Sequence, residues 1–193
     1  MQYELAEDQI PIFQNHYNKA NRLSEGLIIL DGLPQIKFGF WKKRKARKAI
    51  LHYQKCLEMI PNHWQVKFFL AKVYQAMNEP NKAFQLFKEA AEIEKENATV
   101  AREASISAMD AGEVELAVEY SLEALNREPN NAGLMCNHAI NLMVSGNDKE
   151  AVEWIEKVME IEGNNAINQN AYKLIMSVQS GKKKRPRYNE LGI

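Results

Sequence analysis

The chain has 193 residues, enough for one compact domain or an elongated repeat array, and its composition is that of a folded protein. Its 25 basic and 25 acidic residues give zero net charge, which removes the simplest argument for a nucleic-acid or membrane-surface protein. The N-terminus carries acids where a secretory signal is cationic, and two distant cysteines make no disulfide framework, so we expect a cytoplasmic protein, or a nuclear one in a eukaryote.

Residues 1–46 are expected to form an N-terminal region in which a helix precedes an irregular segment rich in basic and aromatic residues. Small and apolar residues at helical spacing predict the helix over about 12–30. The turn-forming run Asp31-Gly32-Leu33-Pro34 and Gly39 follow it. An alternative for the basic residues is that they extend the next helix towards its N-terminus.

From residue 49 onward the sequence repeats itself every 34 residues. One column of the repeat contains only alanine, at Ala49, Ala83, Ala117 and Ala151. Another column contains Asn78, Gly112 and Gly146, which adopt the left-handed conformation at low cost and therefore predict a tight turn between two helices. Residues 12–30 could supply the first helix of a degenerate first repeat, with an insertion of about a dozen residues after it.

Between these turns, apolar residues at helical spacing predict antiparallel helix pairs and one last unpaired helix. The predicted elements are 64–77 with 80–94, 98–111 with 114–127, 132–145 with 148–161, and 166–179. Pro80 suits the first turn of its helix, and Asp148 suits a helix N-cap.

The repeat resembles the tetratricopeptide repeat, a 34-residue helix pair with small and aromatic residues at fixed positions. The segment that matches best contains Leu70-Ala71, Tyr74, Ala83, Phe87 and Ala90. The resemblance covers about 47–179. It implies an all-α fold, a right-handed superhelical array of antiparallel helix pairs with a C-terminal capping helix, followed by a basic tail over 180–193.

The resemblance also implies that the first helix of each pair lines a concave groove, which holds a peptide or an amphipathic helix of a partner protein. The implied groove residues are Phe68, Lys72, Gln75, Arg102, Ile106, Met109, Cys136, Asn137, Ile140, Met143, Asn170 and Leu174. These positions are unexpectedly apolar, and the flexible methionine side chains suit varied ligands. The basic side chains by which one subset of the family clamps a carboxylate look absent in this sequence.

No motif for catalysis, a cofactor or a metal ion stands out in the sequence. The four histidines show no paired ligand spacing, and Cys56 falls in a small packing column of the repeat. We therefore predict a non-catalytic scaffold, adaptor or chaperone-like module that needs no cofactor.

Two basic clusters flank an acidic middle. The clusters contain Lys42, Lys43, Arg44, Lys45, Arg47 and Lys48, and then Lys182, Lys183, Lys184, Arg185 and Arg187. The net charge is plus seven over 37–48, minus eight over 49–181 and plus four over 182–193. The runner-up hypothesis is therefore an adaptor that binds nucleic acid or another acidic surface, although an acidic repeat array is a poor nucleic-acid platform.

Two other occupants of the groove stay open at this point. Residues 1–40 of the same chain could fill it, or a second copy could do so and form a homo-oligomer. The basic ends of one molecule could also meet the acidic middle of another, which would give salt-sensitive self-association.

Overall fold

The computed structural model describes residues 5–28 and 39–191, and in that part of the chain every regular element is helical. The α-helices are α1 Ile10–Ser24, α2 Phe40–Met59, α3 Trp64–Ala76, α4 Pro80–Ile93, α5 Ala98–Ala111, α6 Val114–Arg127, α7 Ala132–Ser145, α8 Asp148–Glu162 and α9 Ala166–Gln179, followed by a 3-10 turn Tyr188–Glu190. The chain divides into two compact units, Met1–Lys95 and Glu96–Ile193. The predicted all-α fold of helix pairs is confirmed, and the bounds of α3 to α9 are close to those expected, whereas α1 ends at Ser24 and not near residue 30.

The first unit opens with an antiparallel pair, α1 and α2. Tyr53 of α2 donates a hydrogen bond to Asn21 Oδ1 at 2.8 Å, and Lys45 Nζ donates to the Glu25 carbonyl at 2.8 Å. Fully buried Ala20 lies in the core between the two helices. The basic residues 42–48 form the N-terminal part of α2. This agrees with the alternative prediction, in which they extend the helix. The Asp31-Gly32-Leu33-Pro34 run lies outside the described residues.

The second pair of this unit, α3 and α4, follows the repeat pattern closely. The tight turn between them places Asn78 at a φ of 61°, in the left-handed region. Pro80 is the first residue of α4, where its missing N–H costs no helical hydrogen bond. The Phe68 and Phe87 rings meet edge to face with centroids 5.4 Å apart, and Lys67 pairs with Glu89. These contacts bury the apolar faces that the sequence pattern predicts.

The second unit repeats the arrangement with α5 paired to α6 and α7 paired to α8, while α9 packs on both α7 and α8. The two tight turns place Gly112 at a φ of 85° and Gly146 at 99°, as the glycine column predicts. In both turns the chain therefore reverses direction between the paired helices within two residues. One apolar core runs through the unit from Ala98 to Val178.

The sequence prediction for the start of α8 is wrong by one position. Asn147 is the N-cap residue, and Asp148 is the first helical residue. No side chain caps the helix there. The Asp148 carboxylate instead lies 2.7 Å from Arg185 in an ion pair. Capping rules consider only neighbouring residues and therefore do not predict this contact.

A buried polar network joins three helices of the second unit. Asn141 of α7 donates to Ser105 Oγ at 2.7 Å and to the Ala117 carbonyl at 3.1 Å. Ser105 of α5 donates to the same carbonyl at 2.8 Å. The two buried side chains of this network thus satisfy each other and a carbonyl of α6, which fixes the register of α5, α6 and α7. Within the described residues no helix is long and apolar enough to cross a membrane.

Candidate functional site

The predicted groove residues of α3 are packed rather than open. Phe68 and Lys72 are only 7% and 4% exposed, and Gln75 is partly exposed. The Lys72 ammonium lies 5.9 Å from the centroid of the Phe87 ring, within reach of a cation–π contact. These side chains therefore contribute to the interior of the first unit.

The predicted groove residues of the second unit fall into two groups. Buried in the structure are Met109, Cys136, Ile140 and Met143. Those with partial or full exposure are Arg102, Ile106, Asn137, Leu174 and Asn170. Cys136, Ile140 and Met143 share one apolar cluster with residues of α8 and α9. In the structure, residues of neighbouring helices therefore cover Cys136, Ile140 and Met143.

The open part of this face is a cleft of about 230 Å³ beside the first turns of α7 and α9. Its lining includes Arg102, Cys136, Asn137, Ile167 and Asn168. The Ile167 side chain is 63% exposed. The lining therefore mixes polar and apolar groups, with one exposed aliphatic side chain at its edge.

Asparagine caps position the two helix ends that border this cleft. Asn131 Oδ1 accepts a hydrogen bond from the Leu134 N–H at 3.1 Å, and Asn165 Oδ1 accepts from the Ile167 N–H at 2.9 Å. Both residues belong to the polar turns that follow each repeat, so the sequence marks them as turn residues. Their place on the cleft becomes visible only when α7 and α9 are set side by side.

The C-terminal segment, residues 182–191, contacts α5, α9 and the first residue of α8 in the same unit. Arg185 Nη2 lies 2.7 Å from Asp148 Oδ2, and the Lys183 N–H donates to the Ser177 carbonyl at 2.9 Å. The 3-10 turn contacts α5, and Leu191 packs against the apolar core. These contacts all lie within the second unit, between its C-terminal segment and its own helices.

The 3-10 turn that carries Tyr188 contacts α5, the helix of Glu103 and Asp110. Burial, with Asp110 and Glu103 next in importance, raises the pKa of the Tyr188 phenol well above its usual value. Glu103 is itself 2% exposed and accepts a hydrogen bond from Arg102 at 3.1 Å. The phenol therefore stays protonated and able to donate a hydrogen bond at neutral pH.

The first basic cluster lies on the N-terminal turns of α2. Its exposed cations are Lys42, Lys43, Arg44, Arg47 and Lys48. Phe40 and Trp41, at the start of the helix, are 73% and 75% exposed, with ring centroids 5.7 Å apart. Cations and aromatic rings are thus presented together at one helix end.

Most cations of the second basic cluster face solvent, but one pairs with an acidic side chain of the protein. Lys182, Lys183, Lys184 and Arg187 are exposed, whereas Arg185 is engaged by Asp148. Arg185 of this cluster therefore makes a contact within the protein.

The two thiols of the chain and the buried histidine of the second unit are in environments that suppress their reactivity. Both cysteines are buried, and burial raises the pKa of Cys56 and of Cys136 to about 11, so the thiolate is scarce at neutral pH. Burial lowers the pKa of His138 to about 4. Among the described residues no group of three or more histidine, cysteine, aspartate or glutamate side chains could hold a metal ion.

Residues 65–97, which span α3 and α4, match the tetratricopeptide repeat family. No curated protein matches the chain by sequence. Similar solved structures include a MamA protein, with a TM-score of 0.71 and 16% identity over 87% of this chain and 82% of the other. YrrB, described as a TPR protein with an unusual peptide-binding site, gives a TM-score of 0.68 and 18% identity over 88% and 79%. PilF of Pseudomonas aeruginosa gives 0.62 and 18% over 88% and 71%. At these identities the likeness is one of fold.

Proposed function

The chain carries a tetratricopeptide repeat and has the fold of tetratricopeptide repeat proteins, and on that premise we propose that it is a non-catalytic scaffold that binds a peptide segment of a partner protein. The binding surface is the face of the second unit formed by α5, α7 and α9. Tetratricopeptide arrays in general serve as protein interaction modules, and the buried free thiols support a reducing compartment such as the cytoplasm as the place where it acts.

The cleft on this face is the observation that carries the proposal. It has room for a few residues of an extended chain, at about 230 Å³. The Arg102 guanidinium and the Asn137 amide bring hydrogen-bonding groups to its wall, and Ile167 offers an apolar contact. This mixture favours an extended peptide with free backbone groups over the purely apolar helix that the sequence pattern suggested.

A peptide titration tests the proposal. A peptide enriched on the full chain from a random display library is titrated against the wild type and against Ile167→Asp, which puts a charge on the cleft edge without disturbing the core. We expect Ile167→Asp to weaken binding by about tenfold or more, because an apolar contact becomes a desolvated carboxylate.

The matched control is Ile161→Asp, since Ile161 is also an exposed isoleucine of the same unit, at 52%, and does not line the cleft. It should bind the peptide as the wild type does. Equal losses in both variants, or no enriched peptide at all, would overturn the assignment of this face.

A second candidate function is supported by the aromatic end of α2. Exposed Phe40 and Trp41 beside exposed cations fit a polyanion, because cations pair with phosphates while aromatic rings stack on bases. On a heparin column, Lys43→Glu with Arg44→Glu should elute at clearly lower salt than the wild type. Lys95→Glu with Lys149→Glu, the same charge change at exposed lysines elsewhere, should shift elution much less. Absence of retention at low salt would end this candidate.

A further inference from the structure

The C-terminal segment is held on the second unit at a few points, by a partly exposed ion pair and by the partly buried side chains of Tyr188 and Leu191. The Arg185 and Asp148 side chains of its ion pair remain 39% and 31% exposed. Lys182, Lys183 and Lys184 are exposed to solvent, and the regular structure described in the segment is a single 3-10 turn. The segment therefore resembles a bound peptide more than a part of the core.

Its contacts lie beside the proposed peptide cleft. The 3-10 turn that contains Tyr188 contacts α5, and the Lys183 N–H bonds the Ser177 carbonyl of α9. The cleft is lined by Arg102 of α5 and by Ile167 of α9, and Arg102 also donates a hydrogen bond to Glu103 at 3.1 Å. The segment and the cleft therefore share two helices.

We propose that the C-terminal segment is an intramolecular ligand of this face, which a partner must displace in order to use the whole surface. This inference rests on the proposed function and names its regulation. The segment also defines the chemistry of a ligand for the part of the face that it contacts. It has a cation for Asp148, a phenol three residues later in the turn that contacts α5, and an aliphatic side chain three residues after that, packed against the apolar core.

The chain connection explains how weak contacts can hold the segment in place. Only residues 180–184 separate the end of α9 at Gln179 from Arg185. So short a connection gives a local concentration on the order of millimolar, which exceeds what a free peptide reaches in a typical assay. Gly181, at a φ of 70°, reverses the chain direction after α9.

The test uses the full chain and a fluorescent peptide with the sequence of residues 181–193. In the variant Arg185→Glu with Tyr188→Ala, the resident segment loses its anchors and should leave the face. We expect this variant to bind the free peptide at least about tenfold more tightly than the wild type, because the competitor in the same molecule is gone. The control Lys182→Glu makes the same charge change on an exposed side chain of the segment and should behave as the wild type.

A charge swap locates the binding site. In a background of Arg185→Ala with Tyr188→Ala, where the resident segment has no acid at position 185 to pair with a new cation, adding Asp148→Arg should abolish peptide binding, and a peptide carrying Arg185→Asp should restore it. Equal binding by the wild type and the first variant, or no effect of Asp148→Arg, would overturn the inference.

The outcome is distinguishable from failure of the proposed function. If the display-enriched peptide binds in a manner that depends on Ile167 while the tail peptide does not bind, the proposed function stands and this inference falls. If the tail peptide binds as expected and no display peptide is enriched, the intramolecular contact stands and the partner-binding function falls.

Discussion

At the scale of single residues, the second unit depends on buried polar side chains that find specific partners. His138 is buried on α7, with its Nδ1 2.7 Å from Ser121 Oγ and its ring edge to face with Trp154. The Ser121 hydroxyl donates its proton to the Val118 carbonyl at 2.8 Å, so it accepts from the His138 Nδ1–H. The imidazole serves as a hydrogen-bond donor inside the fold, and burial keeps it neutral at pH 7 by lowering its pKa.

This arrangement predicts a loss of stability in acid. Burial lowers the pKa of His138 to about 4, whereas an unfolded histidine titrates near 6.5. The stabilisation is complete above about 6.5 and is lost as the pH falls towards 4, because only the unfolded state takes up the proton. Between pH 7.5 and 5.0 the wild type should lose about 2 kcal/mol more free energy of unfolding than His138→Gln, measured by urea denaturation. Equal losses would contradict this role.

At the scale of helices, the 34-residue repeat allowed the fold to be predicted from the sequence. A residue with left-handed backbone geometry is needed where the chain reverses between two helices within two or three residues, and Asn78, Gly112 and Gly146 supply it at a fixed step. The alanine column marks where helices approach closely, and these alanines are fully buried. Local rules therefore predicted the helix bounds from α3 to α9 to within one or two residues.

The candidate site was much less predictable because its contacts connect distant parts of the chain. Arg185 and Asp148 are 37 positions apart and belong to no shared period. The sequence shows a basic tail, and a basic tail is ordinarily solvated, so nothing local indicates that one of its arginines is anchored. Cys136, Ile140 and Met143 occupy repeat positions at which the family resemblance implies groove residues. In the structure they pack in one apolar cluster with residues of α8 and α9.

At the scale of the whole molecule, zero net charge conceals basic ends and an acidic middle. Within the second unit this segregation has a structural use, because the basic C-terminal segment lies beside the acidic side chains of Glu103, Asp110 and Asp148. Within the first unit, the cluster on α2 stays exposed. The two clusters therefore differ in role, since one makes an internal contact and the other is open to an external anion.

Hydrogen exchange on the full chain tests the central claim most directly, that partners bind the face formed by α5, α7 and α9. With the display-enriched peptide at saturation, exchange should slow in the first turns of α7 and α9, while residues 187–191 exchange faster as the segment is displaced. Slower exchange confined to α1 and α2, with α5, α7 and α9 unchanged, would contradict the claim.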